Sequence, residues 1–398
     1  MTAAQRRLVP PGERSGPPVE RVGGSGRAGE RGERWVIRSY DTARQLLRDP
    51  EATRQAGFGA DQVTRAGVRM RPPVLYLEGA EHRAQRKAAA RFFAPKVIEG
   101  YRELIERLSG ELVARLRTDR SVDLSRLSLA LAVQVVARVV GLTSSSPTGM
   151  ARRLDAFFAA EAGGPLTPRS LLAKARNRSA LLRFYYLDVK PAIRSRRKQP
   201  REDVISQLLA SGFTDLDILT ECVTYGAAGM ATTREFITVA AWHLLSDPEL
   251  LARYRAGDSE QRTAILSETL RLEPVIGHLF RTTSTPVTVD TSQGPEELPA
   301  GTLIDLDIRA ANADPSVVGT DPLGLCPARD LGATPPTMLS FGDGHHKCPG
   351  GPLAILESEI FLSTLFRLDV VLEHPPRVRW NALTQGYDLD SCAIRLAS

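Results

Sequence analysis

Phe341-Gly342-Asp343-Gly344-His345-His346-Lys347-Cys348-Pro349-Gly350 is the stretch on which the reading of this chain turns. Three glycines in ten residues allow a tight turn in which backbone N–H groups converge on one sulfur. The apolar pattern that follows, from Pro352 to Phe366, predicts a helix. A cysteine just ahead of a helix N-terminus sees positive partial charge, which favours its thiolate. A bare Gly-rich turn with a cysteine reads as a buried structural thiol, but this whole string asks for more. Zinc is a poor fit, because Cys348 and its neighbouring histidines are too close to wrap one ion without strain and no further ligands stand nearby in sequence.

Outward from this loop, the chain has 398 residues, 42% hydrophobic and 25% charged, with 52 Lys+Arg against 46 Asp+Glu. Such a chain buries a large core without disulfides, and wholesale disorder, a collagen repeat and a disulfide scaffold are excluded. Arg is scattered, with clusters at Arg194–Lys198 and between His82 and Arg91. These read as solvated helix faces better than as a nucleic-acid arm. Four cysteines at 222, 326, 348 and 392 form no CxxC, and no apolar leader stands at the N-terminus. Leu127–Leu142 is broken by Gln134 and Arg138, so no membrane span is expected. A reducing cytoplasm is the expected compartment.

Residues 1–34 read as a loose arm with a first strand near Pro17–Val22, and 35–398 as a single domain. Trp35–Ile37 reads as a strand and Asp41–Arg48 as a helix capped by Asp41, with a long loop over Arg54–Glu78. Helical periodicity runs through Tyr101–Leu116, Leu127–Val140, Leu171–Arg197, Asp203–Leu209, Leu216–Ser246, Pro248–Tyr254 and Gln261–Arg271, and Pro191 is expected to kink the third. After Pro274 short strands appear, at Val287–Val289 and Thr302–Ile308. The fold class is therefore mainly α with small β-sheets.

The Cys348 string resembles the haem-binding signature of cytochromes P450, F-G-x-G-x-H-x-C-x-G, at every fixed position from Phe341 to Gly350. A thiolate on a small loop suits haem iron with a proximal Cys. The resemblance implies the cytochrome P450 fold and thiolate-ligated haem b, with Cys348 as metal ligand and His346 at a propionate. Glu268 and Arg271 resemble the family's E-x-x-R and would form a structural pair, whereas Glu51…Arg54 and Glu99…Arg102, at the same spacing, read as surface pairs. His82 and Arg86, spaced H-x-x-x-R, and Arg281 stand where the family binds propionates. Ala311–Pro315, Asp321-Pro322 and Arg329 resemble the segment preceding the Cys loop, so the likeness spans roughly residues 35–398.

Within the long helix, Ala228 and Gly229 stand where the family opens a groove for dioxygen, and Thr232 where its hydroxyl serves the bound oxygen. A close helix–helix contact at the glycine and a Thr bonded back to the preceding turn are the structural alternative. The family's usual acid before that Thr is replaced by Ala231, which relays no proton, with Glu235 one turn on as a possible substitute. Met70, Leu75, Met230, Val275, Ile276 and Leu383 are candidate substrate contacts, with His278, Arg65 and Arg69 as polar ones.

The function so implied is a haem-thiolate monooxygenase tailoring a medium-sized secondary metabolite, using dioxygen and electrons from a ferredoxin-type partner, with neither nucleic acid nor membrane involved. Oxidative C–C or C–N coupling on an aromatic or indole-bearing substrate is the alternative that Ala231 invites. A non-catalytic haem sensor and a nucleic-acid binder are alternatives of other classes.

Overall fold

The structure is a computed structural model that describes residue 8 and residues 16–23, 33–58, 71–158, 178–381 and 384–397. The helices framing the Cys loop are α1 (Tyr40–Arg48), α2 (Gly79–Ala90), α3 (Leu124–Val140), α4 (Pro147–Phe158), α5 (Asp215–Gly226), α6 (Thr232–Leu245), α7 (Ser259–Leu272) and α8 (Gly351–Leu365). Strands β1 (Val19–Val22), β2 (Arg34–Ile37), β3 (Thr53–Gln55), β4 (His278–Thr283) and β5 (Leu303–Asp307) form a sheet in the order β1-β2-β5-β4-β3. All its neighbours are antiparallel except β2 and β5, which pair Trp35 with Ile304 and Ile37 with Leu306 in parallel. Three smaller sheets complete the β-structure, and two involve the C-terminal strands.

Local sequence explains most of these boundaries. Thr214 and Asp217 form a reciprocal capping box that starts α5, as Asp258 and Gln261 do for α7. Helix α3 begins on the Asp123 cap and ends at Gly141, whose φ of 100° suits a glycine. Helix α1 differs from expectation. Its cap is Ser39, whose side chain accepts from the Thr42 N–H, and Asp41 sits in the first turn, where its charge favours the helix N-terminus. Pro191 does not break its helix. A π-turn at Tyr185–Val189 precedes it, and Pro191 falls in the first turn of Lys190–Lys198, where a missing N–H costs little. Residues 59–70 and 171–177 of the expected long loop and third helix lie outside the described residues, with Arg65, Arg69 and Met70 among them.

The long helical pattern from 216 to 246 is one continuous element with a π-turn at its centre. Helix α5 leads into π-helix Ala227–Ala231 and then α6. A Cβ on Gly229 would sit 2.7 Å from Val136 Cγ2 of α3. Gly229 therefore lets two helices approach closely, as the structural alternative anticipated. Leu8, within the expected loose arm, is buried. Its N–H donates to Glu273 Oε1 at 2.9 Å and its carbonyl accepts from Arg309 at 2.9 Å.

The segment that carries Cys348 is fixed from behind by α7. Arg271 is fully buried and donates to Glu268 Oε2 at 2.7 Å and Oε1 at 2.8 Å. It also donates to the carbonyls of Asn312, Pro322 and Gly324, so its five N–H groups meet five acceptors. Glu268 additionally accepts from Arg329 Nε at 3.2 Å and the Cys326 N–H at 3.0 Å. Asn312 donates to Ser340 Oγ and accepts from the Leu339 N–H at 2.9 Å, at the mouth of the Cys loop. The Glu99–Arg102 pair, of the same spacing, lies on the surface. Replacing Arg271 by Met leaves the Glu268 carboxylate buried against one remaining cation, and breaking such a pair costs about 3–5 kcal/mol. Urea unfolding of Arg271→Met should show that loss, and a midpoint equal to the parent's would refute the clamp.

Two further acids are buried in the helical core. Burial pushes the Glu357 carboxyl on α8 up to about 8 and that of Glu235 on α6 up to about 7. An unfolded glutamate ionises near 4.3, so above that pH the folded chain holds protons the unfolded chain has lost. The stability associated with these groups is full below about pH 4 and falls as pH rises through 8. Glu357→Gln should remove up to about 1.4 kcal/mol per pH unit of that slope. Urea midpoints at pH 6 and pH 8 measure it, and an unchanged slope in the variant would place the titration elsewhere.

Candidate functional site

The Cys loop is built by its glycines and by α1. Gly342 and Gly344 take φ of 67° and 65°, the left-handed region that side chains avoid. A Cβ on Gly344 would meet the Leu47 carbonyl at 2.0 Å, so the loop lies directly on the end of α1. Asp343 fastens it there, accepting from Arg44 Nε at 3.1 Å and Arg48 Nε at 2.9 Å, while its other oxygen accepts from the Gly344 N–H. The Cys348 N–H donates back to the Phe341 carbonyl at 2.8 Å and closes the turn. Gly350, unlike the first two glycines, is helical, and the Phe341 ring covers Gly351.

The Cys348 sulfur accepts from the N–H groups of Gly350 and Gly351 at the start of α8. Burial nevertheless raises the thiol above its ordinary range, against these two donors and the nearby charges of Arg86 and Lys347. The loop alone therefore does not produce the thiolate that its sequence suggests; coordination to a metal, which deprotonates a thiol outright, would. Cys348 is also exposed to solvent although protein atoms surround it closely.

Cations and imidazoles gather beside that sulfur. Arg86 donates to the Lys347 carbonyl and lies near enough to both Cys348 and Tyr225 to feel their charges. Burial lowers its pKa. His82 is buried and neither ring nitrogen has a hydrogen-bond partner among the described residues, its ring 4.2 Å from that of His346 between centroids. Burial, and then the charges of His346 and Arg86, depress it to about 4. Arg281 is buried and donates to the neutral amide of Gln55, and burial lowers it to about 10. His345 and His346 both meet Glu78 Oε2, at 3.2 and 3.1 Å. Burial pushes the Glu78 carboxyl up, but the two imidazoles and the Gln55 N–H outweigh it and hold it well below the usual range. Glu78, an acid that reading by motif passed over, thus organises the tandem histidines. Its carboxylate, His345 and His346 offer three ligand atoms within 4.8 Å of one another.

These features fit a flat dianionic cofactor resting on a thiol. The accessible sulfur, the unpartnered His82 nitrogens and a buried guanidinium bonded to a neutral amide are each what such a group would complete. The side chains that would hold it are Cys348, His82, Arg86, Arg281 and His346.

The long helix also carries small residues that are accessible. Ala228 is exposed and Ala227, Ala231 and Thr232 are half-buried, although the helix lies in the core. Thr232 donates to the Ala228 carbonyl across the π-turn. Met230 points the other way. It is 1% exposed, within the helical core beside Gly226, so it does not share the face of Ala228 and Thr232. Glu235 is buried away from solvent, accepts from the Leu389 N–H at 2.6 Å and pairs with Arg234. Val275 is buried and Ile276 half-buried, on a segment pressed against the turn at Gln385–Gly386. His278 pairs with Asp305 at 2.7 Å within the sheet. Leu383 lies outside the described residues. Among the described residues, no helix is long and apolar enough to cross a membrane.

Comparison with known proteins gives a consistent picture. The sequence profile described as Cytochrome P450 matches residues 262–376. The chain is 29% identical to cyclomarin C epoxidase CymV of Salinispora arenicola over 83% of its own length and 82% of that protein's. It is 28% identical to cytochrome P450 monooxygenase PikC of Streptomyces venezuelae, over 90% of this chain and 83% of that one. Its fold matches the crystal structure of cytochrome P450 MoxA from Nonomuraea recticatena with a TM-score of 0.79 at 21% identity, covering 96% of this chain and 93% of MoxA. With its thiol loop, its clamp and its fold in agreement, the chain is similar to cytochromes P450 in sequence and in fold.

Proposed function

We propose that the protein is a haem-thiolate monooxygenase, a single domain over residues 35–398, acting on a medium-sized organic molecule. It would use dioxygen and two electrons from a ferredoxin-type partner. The observation that carries this reading is Cys348, exposed on its glycine loop with its sulfur held by two N–H groups at the start of α8. Bound there, haem b would bind dioxygen and, through the donating thiolate, favour O–O cleavage.

The protein's own groups would do the rest. Cys348 would ligate, with the Gly350 and Gly351 N–H groups tempering its charge. His82, Arg86, Arg281 and His346 would meet the propionates, and Glu78 would orient His346 through Nε2. Phe341 and Gly350 shape the loop. Ala228 would leave room on the distal side, where Thr232 would present its hydroxyl, now bonded to the Ala228 carbonyl. Gly229 contributes by letting α3 approach rather than by facing the substrate. Val275 and Ile276 would border the substrate. Secondary-metabolite tailoring is supported by likeness to an enzyme named as an epoxidase of cyclomarin C.

A second reading, oxidative C–C or C–N coupling without net oxygen insertion, draws on Ala231, whose methyl cannot hand on a proton. Mass spectrometry of products formed under labelled dioxygen separates the two, since coupling removes hydrogen and adds no label.

The reduced, carbon-monoxide-bound protein should give the red-shifted Soret band of thiolate ligation, and Cys348→His should abolish it. A band of the neutral-histidine type in both proteins would defeat the assignment. Ala231→Asp should lower the hydrogen peroxide released per dioxygen consumed, by restoring an acid next to Thr232. An unchanged peroxide yield would deny position 231 any part in proton delivery.

A further inference from the structure

With Ala231 inert and Glu235 tied to Leu389, the reaction proposed above still needs protons in a buried place. Helix α5 carries an acid that neither motif nor likeness assigns. Glu221 is 2% exposed. Its Oε1 accepts from the Val74 N–H at 2.9 Å and from Gln85 Nε2 of α2 at 2.6 Å. Its Oε2 is buried and has no hydrogen-bond partner among the described residues. An unpartnered carboxylate oxygen in that position is costly, whereas a proton on it costs little.

Glu221 shares a helix face with the distal groups. Tyr225 is four residues on in the same α-helix, a spacing that stacks its side chain beside that of Glu221, and Ala228 follows in the π-turn Ala227–Ala231. Ala228 is joined to Thr232 by the Thr hydroxyl. The face runs from a buried carboxyl through a half-buried phenol to the exposed Ala228 and the Thr hydroxyl. Glu221 lies close enough to Tyr225 for its charge to raise the phenol's pKa, and Arg86 of α2 is near enough to Tyr225 to feel its charge.

We infer that Glu221, relayed by the Tyr225 hydroxyl, is the internal proton donor to the distal side of the site, in place of the acid absent at position 231. The inference rests on the haem-thiolate reading. In the step, the Glu221 O–H bond breaks and its proton passes to the Tyr225 oxygen. Tyr225 releases its own proton toward Thr232 and stays neutral. Glu221 is left as a carboxylate and regains a proton from bulk water. No electrons move in the relay; they come from the ferredoxin-type reductant.

The charge state suits the task. Burial pushes the Glu221 carboxyl up to about 7, with the Asp217 charge adding to it and the Val74 N–H and Gln85 opposing. A donor poised near neutrality both holds and releases its proton. The other groups around it are Tyr225 and Cys222 on its own helix, each raised by burial and by the Glu221 charge.

The test needs no substrate. The holoprotein is supplied with a surrogate plant-type ferredoxin and its reductase, and dioxygen consumed is compared with hydrogen peroxide released. Four electrons and four protons take dioxygen to two waters; two of each stop at peroxide. Glu221→Gln keeps an oxygen for the Val74 N–H and loses the acid. Its water formation should fall about a hundredfold, with peroxide in its place. Tyr225→Phe, which leaves the Glu221 hydrogen bonds intact, should do the same. The infrared carbonyl band of a protonated buried carboxyl, present in the parent near neutral pH, should vanish in Glu221→Gln. The carbon-monoxide spectrum is recorded on every sample. A thiolate band with an unchanged water-to-peroxide ratio in Tyr225→Phe, or in a Glu221→Gln that binds haem, overturns the relay and leaves the haem-thiolate reading standing. Absence of that band in the parent overturns the reading itself.

Discussion

A single guanidinium holds the architecture of the site together. Arg271 has no contact with solvent, and each of its N–H groups is matched by an oxygen from Glu268 or from three backbone carbonyls of the segment between 312 and 324. Removing a cation from water is expensive, and only full satisfaction of its donors offsets the cost. The arrangement therefore tolerates little slack. Through Asn312 the same network reaches Leu339 and Ser340, immediately ahead of the thiol loop. The loop's other side leans on α1 through Asp343 and the close approach of Gly344 to Leu47. Cys348 is thus located by two independent contacts, neither of which touches the sulfur.

Around that sulfur, the chain concentrates groups that are individually uncomfortable. Arg281 is buried with a neutral partner, both His82 nitrogens lack a hydrogen-bond partner among the described residues, and the Cys348 thiol is raised by burial. Glu78 relieves part of this strain by holding both neighbouring histidines. Uncompensated polar groups of this sort are poor for the stability of an empty protein and favourable for a charged, planar ligand. The discomfort is the binding energy in waiting.

What the sequence made legible was local. The thiol loop, the Glu268–Arg271 pair and the long helix are each specified by residues within a few positions of one another, and glycine conformations, caps and i,i+3 spacing carry that information directly. The clamp's significance was legible only by position, since Glu99 and Arg102 have the same spacing on the surface. Facing was harder. A π-turn at Ala227–Ala231 shifts the helical phase, and this puts Met230 in the core while Ala228 looks into open space. The partner of Glu235 is the Leu389 backbone amide, 154 residues away, which helix spacing does not encode. Glu78 and Glu221 take partners from other elements, and no short motif records such pairings. A continuous apolar face leading from Glu221 would have hidden it less, but Tyr225 and Thr232 look like ordinary helix residues in print.

The parallel pairing of β2 with β5 has a consequence for biogenesis. Trp35–Ile37 emerges from the ribosome early, and its neighbour Ile304–Leu306 is translated only after most of the helical body. Until then β2 has an open edge toward β5, and the nascent polypeptide carries an unsatisfied strand through much of its synthesis. The sheet can close only in the last quarter of translation, after which the thiol loop has its floor. Premature termination anywhere before residue 303 therefore yields a fragment with an open strand edge and without the thiol loop.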